Sequence, residues 1–379
     1  MQQSREFLIH HEVDERLEAE WDDLARRHGT RFASRPAYAL SWFRAVGKGR
    51  LAVATVRRGG ELAAVLPLHV RRRAGVEVAR LLGHGLGTVG EAPATDRAAL
   101  EYLVDGLRRE QLPLELTHLP AGSPFLEVLL AADGLHVDLH RDDHCPVIDV
   151  PEGTTVADLR SSKTRSRLSR ARRKWEAQHG VVDRILVQTP EELERHWSEI
   201  VTLTELADDA AGEGRLHLLS GEHGQFTHRF LREEAAAGHL VVIGLTVDGR
   251  WVGLQVLLTT GGRAEGWLNR FDPGCRPLIP GHQLVEKLID VHDELGVTVI
   301  DMMIGRSPFK SDWETGEYHV FSVSAVAAEN LRALRWARAV SRGGMLAAGA
   351  IRRVTSAARR GRSHASRAAA DPTWPWRRG

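Results

Sequence analysis

Two charged side chains stand where a transferred group would have to be handled. Asp301 is the only charged residue in the apolar run VTVIDMMIG (297–305), and Lys310 follows in PFKSDW (308–313). A lone carboxylate near the end of an apolar strand needs a partner or a task. It can serve as a general base or as an orienting group, or it can pair with Lys310 or Arg306. Basic residues here are nearly all arginine, so a lysine after that strand end stands out. It is a candidate cation for an acceptor, or for the oxyanion that develops during acyl transfer. Just upstream, the strand-like RAEGWLNRF (263–271) breaks into DPGCRPLIPG (272–281), which feeds a helix. Unpaired N–H groups at such a helix start, around Gly281, His282 and Gln283, are suited to cradle a pyrophosphate. The order implies a phosphate-bearing donor in the loop and acceptor chemistry at the neighbouring strand end.

Other signals are weighed against blander readings. Gly85 to Gly90 spells G-x-G-x-x-G after a strand. A dinucleotide site needs a helix opening inside that loop; Pro93 intervenes and helix signals begin only near Thr95. It reads rather as an earlier version of the 272–281 loop, without a donor. His136, His140 and His144, with Asp138, Asp142 and Asp143, have metal-ligating types. Their spacing converges only on a helix, whereas Pro146 and the valine-rich flanks favour strand and turn, so they read as surface histidines. Cys275 is either a nucleophile or a free loop thiol. The basic run RSSKTRSRLSRARRK (160–174) is helix-compatible. It is either a solvated face or an anion-binding helix beside the acceptor, with Arg167 and Arg170 in that role.

The elements that must position these groups fall into two similar series. In the first, helices at 12–27 and from Pro36 precede strands 51–57 and 62–70 around Gly59-Gly60, then strand 76–82. A glycine-rich loop, a helix at 97–107 and a strand at 114–119 follow, with a helix at 124–132 and strands 135–139 and 147–150. In the second, Thr189-Pro190-Glu191-Glu192 is a capping box with proline at the first helical position. Ser220 caps another helix, and strands 239–247 and 251–259 turn at Asp248-Gly249. The strand ending at Phe271, a helix closed by Gly296 and the strand 297–304 complete it. Both series run helix, helix, three-strand meander, glycine-containing loop, helix, strand, which reads as an internal duplication by element order.

The chain has 379 residues, enough for two domains with their own cores, and a net charge of only +1, which argues against a nucleic-acid binder. Two cysteines without a framework pattern fit a reducing cytoplasm. The amino-terminal stretch has no apolar segment of signal-peptide type, and no 18-residue apolar run occurs, so neither secretion by that route nor membrane spanning is expected. From Leu331 to Gly379 the composition turns to Arg, Ala, Ser and Gly. A short basic helix followed by disorder is expected there. That tail offers a peripheral contact at the inner face of the membrane.

The run WLNRFDPGCRPLIPG, helix, VIDMMIGRSPFKSDW resembles the CelD/BcsL-type acetyltransferases, a branch of the GNAT superfamily associated with cellulose and exopolysaccharide biosynthesis. The matching positions are Phe271, Asp272, Pro273, Pro280, Gly281, Asp301, Gly305, Phe309, Lys310 and Trp313. The resemblance implies an α+β or α/β chain of two tandem GNAT-like domains, each a mixed, mostly antiparallel sheet flanked by helices. The domains expected are 1–150, 151–330 with the active site, and the basic tail 331–379. The resemblance also implies an acyl-CoA donor, acetyl-CoA above all, and no metal. Trp267, Asn269, Phe271, Pro280, Gly281, His282 and Gln283 would face the donor. Arg270, Asp272, Arg306, Phe309, Trp313, Arg167 and Arg170 would face the acceptor, with Asp301 and Lys310 catalytic. The acceptor expected is an amine- or hydroxyl-bearing sugar, or a nucleotide-linked precursor, of a surface polysaccharide. Ile279 stands where that branch commonly has serine, and the general GNAT pyrophosphate signature is reduced to Pro280-Gly281-His282-Gln283. A Fem-like transfer from aminoacyl-tRNA, or a degenerate scaffold binding a nucleotide-sugar or a partner, therefore stays open.

Overall fold

The computed structural model describes residues 4–73, 76–212 and 216–330. The expected tail helix and disorder lie outside these residues. The chain begins with β1 (Arg5–His10), α1 (Glu15–His28) and α2 (Pro36–Val46), followed by the meander β2 (Arg50–Arg58), β3 (Glu61–Arg73) and β4 (Val76–Leu81). Next come α3 (Arg97–Arg109), β5 (Leu114–Pro120), α4 (Pro124–Ala131) and β6 (Leu135–Asp149). After α5 (Val156–Leu159), the series resumes with α6 (Ser162–His179), β7 (Val182–Val187), α7 (Pro190–Ala211) and α8 (Gly221–Ala236). The second meander is β8 (Leu240–Val247), β9 (Arg250–Thr260) and β10 (Arg263–Phe271). Then α9 (Pro280–Val291), β11 (Val299–Asp301), α10 (Pro308–Ser311) and β12 (Gly316–Ala327) complete the described chain.

Local chemistry explains these boundaries. Thr189 and Glu192 form the reciprocal capping box that opens α7. Asp248, at φ 47°, and Gly249 supply the positive φ values of the β8–β9 turn. All twelve strands join one sheet in the order β1-β2-β3-β4-β5-β12-β6-β11-β10-β9-β8-β7. Read inward from each edge, the order is β1 to β5 followed by β12, and β7 to β11 followed by β6. The last strand of each half is thus exchanged: β12 lies between β5 and β6, and β6 between β12 and β11.

Three cores hold the layers together. On one face, helices of both halves share a core in which Trp21, Phe32 and Tyr38 meet Phe226, Phe230 and Trp267. On the other face, α3 and α4 cover the first half, and α9 covers the second with Leu284, Val285, Leu288 and Ile289. The expected architecture of two tandem, mostly antiparallel GNAT-like units is what the chain adopts. The strands expected at 135–139 and 147–150 are one continuous β6, and β1, β7 and β12 were not foreseen. Among the described residues no helix is long and apolar enough to cross a membrane.

Candidate active site

A fork in the sheet is the central feature. β10 and β11 run parallel and pair only at Arg263↔Val299, Ala264↔Ile300 and Glu265↔Asp301. Beyond that point β10 continues to Phe271 against β9 alone, with a bulge between Gly266 and Leu268 that takes Trp267 out of register. The β11 side turns away at Met303, whose φ is +59°. The backbone of 267–271 thereby has no ladder partner on the β11 side.

At the fork's apex lies a buried charge cluster. Asp301 is fully buried and its Oδ2 accepts from Arg31 Nη1 (2.7 Å), Arg263 Nη1 (3.0 Å) and the Tyr318 hydroxyl (2.7 Å). Its Oδ1 accepts from the Met303 N–H at 2.9 Å. Glu265, also fully buried, accepts from Arg31 Nη1 at 3.2 Å and from the Phe32 N–H at 2.8 Å. Burial raises the Glu265 carboxyl above its ordinary range; Arg31 opposes this and Asp301 adds to it. Burial likewise raises the Tyr318 phenol, with Asp301 adding to the shift. With four donors on its two oxygens, Asp301 is an anchor for the fork. That arrangement departs from the sequence expectation of a proton acceptor, because the carboxylate has no open side aimed at an acceptor.

Lys310 sits at the mouth. Its Nζ donates to the carbonyls of Met303 (2.9 Å) and Ile304 (3.0 Å), on the turn that leaves β11. Burial lowers its ammonium below the ordinary lysine value, while Asp301 and Asp143 pull the other way. Two carbonyls take two of three ammonium protons, so one remains for a ligand. Cys145 on β6 is paired in register with Tyr318; burial, with Asp301 nearby, pushes its thiol up to about 12. Cys275 is buried as well and pushed up to about 11, which removes the thiolate a nucleophile needs.

The start of α9 closes the other side. Ile279, at φ 52°, occupies its cap without a side-chain hydrogen bond, and Pro280 is its first residue. The His282 and Gln283 N–H groups donate to the Ile279 carbonyl at 3.1 and 3.4 Å, so two of the three N–H groups expected to be unpaired here are engaged within the turn, and no side chain caps it. A Cβ at Gly281 would lie 3.0 Å from the Phe309 ring. The Trp313 indole is fully buried, donates to His282 Nδ1 at 2.9 Å, and carries the Arg160 guanidinium 4.5 Å above it. Arg167 is 3.8 Å from Asp312, and Gln283 Nε2 donates to the Leu168 carbonyl at 3.3 Å. These contacts seat α6 beside the α9 start, with Arg165, Arg167, Arg170 and Arg173 exposed.

The first half lacks the counterpart of this open helix start. There Asp96 caps α3 by accepting from Ala99 N–H (2.9 Å) while pairing with Arg58 (2.7 Å), so a carboxylate already fills the anion position.

The fork thus gathers Asp301, Lys310, Gly281, His282, Gln283 and Phe309. Other expected residues are engaged elsewhere. The Trp267 side chain belongs to the aromatic core, 6.1 Å from both Phe32 and Tyr38. Arg270 pairs with buried Asp208 at 2.5 Å. Asp272 caps the turn at Gly274 and pairs with Arg250 at 3.2 Å. Arg306 pairs with Glu317. His136 and His140 lie opposite Val326 and Ser322 of β12, but a bulge between Arg141 and Asp143 sets His144 opposite His319, on the other face, and among the described residues no group of ligating side chains is placed to hold a metal ion. Sequence reasoning missed Arg31, Glu265 and Tyr318. Glu265 carried the same signal as Asp301, a charge inside an apolar strand; the other two come from distant segments.

With this geometry in view, residues 162–311 match the family model described as an acetyltransferase (GNAT) domain. No curated protein matches the chain. Among solved structures the chain is similar to FemX, at 12% identity over 83% of this chain and 96% of that one, with a TM-score of 0.55. It is also similar to the C-terminal domain of a putative lysylphosphatidylglycerol synthetase from Agrobacterium fabrum, at 14% identity, 85% and 95% coverage and a TM-score of 0.54. L-PGS from Bacillus licheniformis gives 12% identity, 86% and 96% coverage and a TM-score of 0.52. The chain therefore has a tandem GNAT-like fold, and its residues 162–311 match a GNAT acetyltransferase domain.

Proposed function

We propose that the protein is an acyl-CoA-dependent N-acyltransferase, with acetyl-CoA as donor, that uses the second half as its working site. The observation that carries this reading is the conjunction of an open sheet fork, an uncapped helix start and a partly desolvated lysine at one mouth. The donor pyrophosphate would lie against the Gly281–Gln283 turn, with Arg167 and Arg170 available to its phosphates. The backbone of 267–271 would line the pantetheine arm, and Lys310 would bind the acceptor or the developing oxyanion. Asp301 is proposed to orient the fork, leaving the acceptor's proton to water or to an acceptor group. On the resemblance to CelD/BcsL-type enzymes, the acceptor would be an amino sugar or nucleotide-linked sugar of a surface polysaccharide, with 151–330 as the working domain. Acetyl transfer to a panel of amino sugars and nucleotide amino sugars tests this; transfer to none of them removes the sugar acceptor.

One observation favours a second reading. The exposed cations of α6 beside the α9 start suit a larger polyanion equally well, and the fold is similar to those of FemX, L-PGS and the C-terminal domain of a putative lysylphosphatidylglycerol synthetase. Transfer from charged tRNA with no CoA requirement would establish that alternative.

A further inference from the structure

We infer that Arg31, a residue of the first half, is a positioning residue for the second half's donor site, and that the fork is competent only while Arg31 bridges its two arms. This rests on the donor reading above. Arg31 precedes a short helical turn at Phe32–Ser34 and is itself only 5% exposed. Its Nη1 reaches Glu265 on β10 (3.2 Å), Asp301 on β11 (2.7 Å) and the Tyr318 hydroxyl on β12 (3.0 Å). Glu265 and Asp301 are the last register pair before the strands part. One guanidinium nitrogen thus ties both arms of the fork at its apex, across 234 and 270 residues of sequence.

The electrostatics explain why a cation is needed there. Two buried carboxylates side by side repel, and one protonates unless they are compensated. Arg31 and Arg263 supply the two positive charges. The remaining groups nearby are Tyr318 on β12, Cys145 on β6, Glu91 of the first-half loop, and Lys310. Asp301 also holds the Met303 N–H, and the Met303 carbonyl holds Lys310. Loosening the apex therefore displaces the lysine and the splayed backbone together. Without Arg31, proton uptake by Glu265 relieves the repulsion, so the defect should be larger at higher pH.

The test is acetyl-CoA titration of the full chain at pH 6 and pH 8, on wild type, Arg31→Met, Arg31→Lys and Arg31→Met with Glu265→Gln. Hydrogen exchange of segments 264–271 and 299–305 is followed in the same four proteins. Arg31→Met should weaken donor binding by about tenfold or more at pH 8 and lose protection in both segments. Both losses should shrink at pH 6, and both should be repaired by Glu265→Gln. Arg31→Lys should fall between. A loss that is independent of pH and unrepaired by Glu265→Gln would reduce Arg31 to packing and overturn the inference, as would wild-type behaviour of Arg31→Met. If wild type binds no acetyl-CoA, the donor reading fails, while the exchange data still decide whether Arg31 clamps the fork.

Discussion

Lys310 is held by two backbone carbonyls rather than by a carboxylate, so its charge remains available while burial makes that charge costly. Two consequences follow. Lys310→Ala should lower kcat/KM by roughly a hundredfold, the size seen when a preorganised oxyanion donor is removed, with the fold intact. If the ammonium is the active form, activity should decline on the alkaline side at a pH below that of an ordinary lysine, because the folded value is lowered. Stability has the matching sign: the unfolded chain holds the Lys310 proton to higher pH, so this group's penalty is relieved as pH rises between the folded and unfolded values. A pH–rate profile and pH-dependent unfolding of wild type and the alanine variant read both effects. At this scale the sequence showed the chemistry but not its wiring. Asp301 and Lys310 stood out by type and position, yet Asp301's partners include Arg31 and Tyr318, which no local pattern joins to it. Trp267 carried a plausible cleft position, but the bulge beside it directs the indole into the aromatic core.

At the scale of elements, the site depends on where strands stop pairing. β10 and the start of α9 were legible, since Arg263–Phe271 is a compact apolar strand and Pro280 suits a first helical turn. β11 is only Val299–Asp301, shorter than its apolar run, because beyond Asp301 the chain no longer pairs with β10, although the Met302 N–H still donates to Pro146 of β6 at 3.0 Å. Apolar composition reports burial, and here burial outlasts pairing. The close fit of the meander gives a sharp stability test. A Cβ at Gly244 would lie 2.6 Å from the Trp251 ring and 2.8 Å from Ile185. Gly244→Ala should therefore destabilise by about 1–3 kcal/mol in denaturant unfolding. An unchanged midpoint would show that Trp251 yields without strain.

For the molecule as a whole, the exchange of β6 and β12 makes the halves interdependent. β12 escaped sequence reading because its partners, β5 and β6, lie roughly two hundred residues upstream and its alternation is diluted by serine and histidine. The duplication itself was legible through the repeated order of helices, meander and loop. Residues 162–311 on their own lack β6, β12 and Arg31, so that segment should fail to give a cooperatively folding monomer by calorimetry and circular dichroism. A stable, cooperative fragment would show the exchange to be dispensable. The central claim, that the second half holds a CoA donor against the α9 start, is tested most directly by calorimetric titration with acetyl-CoA and CoA of wild type and Gly281→Glu. The glutamate Cβ would crowd Phe309 at 3.0 Å, and its carboxylate is set at the proposed anion position. Micromolar binding by wild type that is lost in this folded variant is the predicted result. Absence of binding by wild type, or binding that survives the glutamate, would contradict the donor site described here.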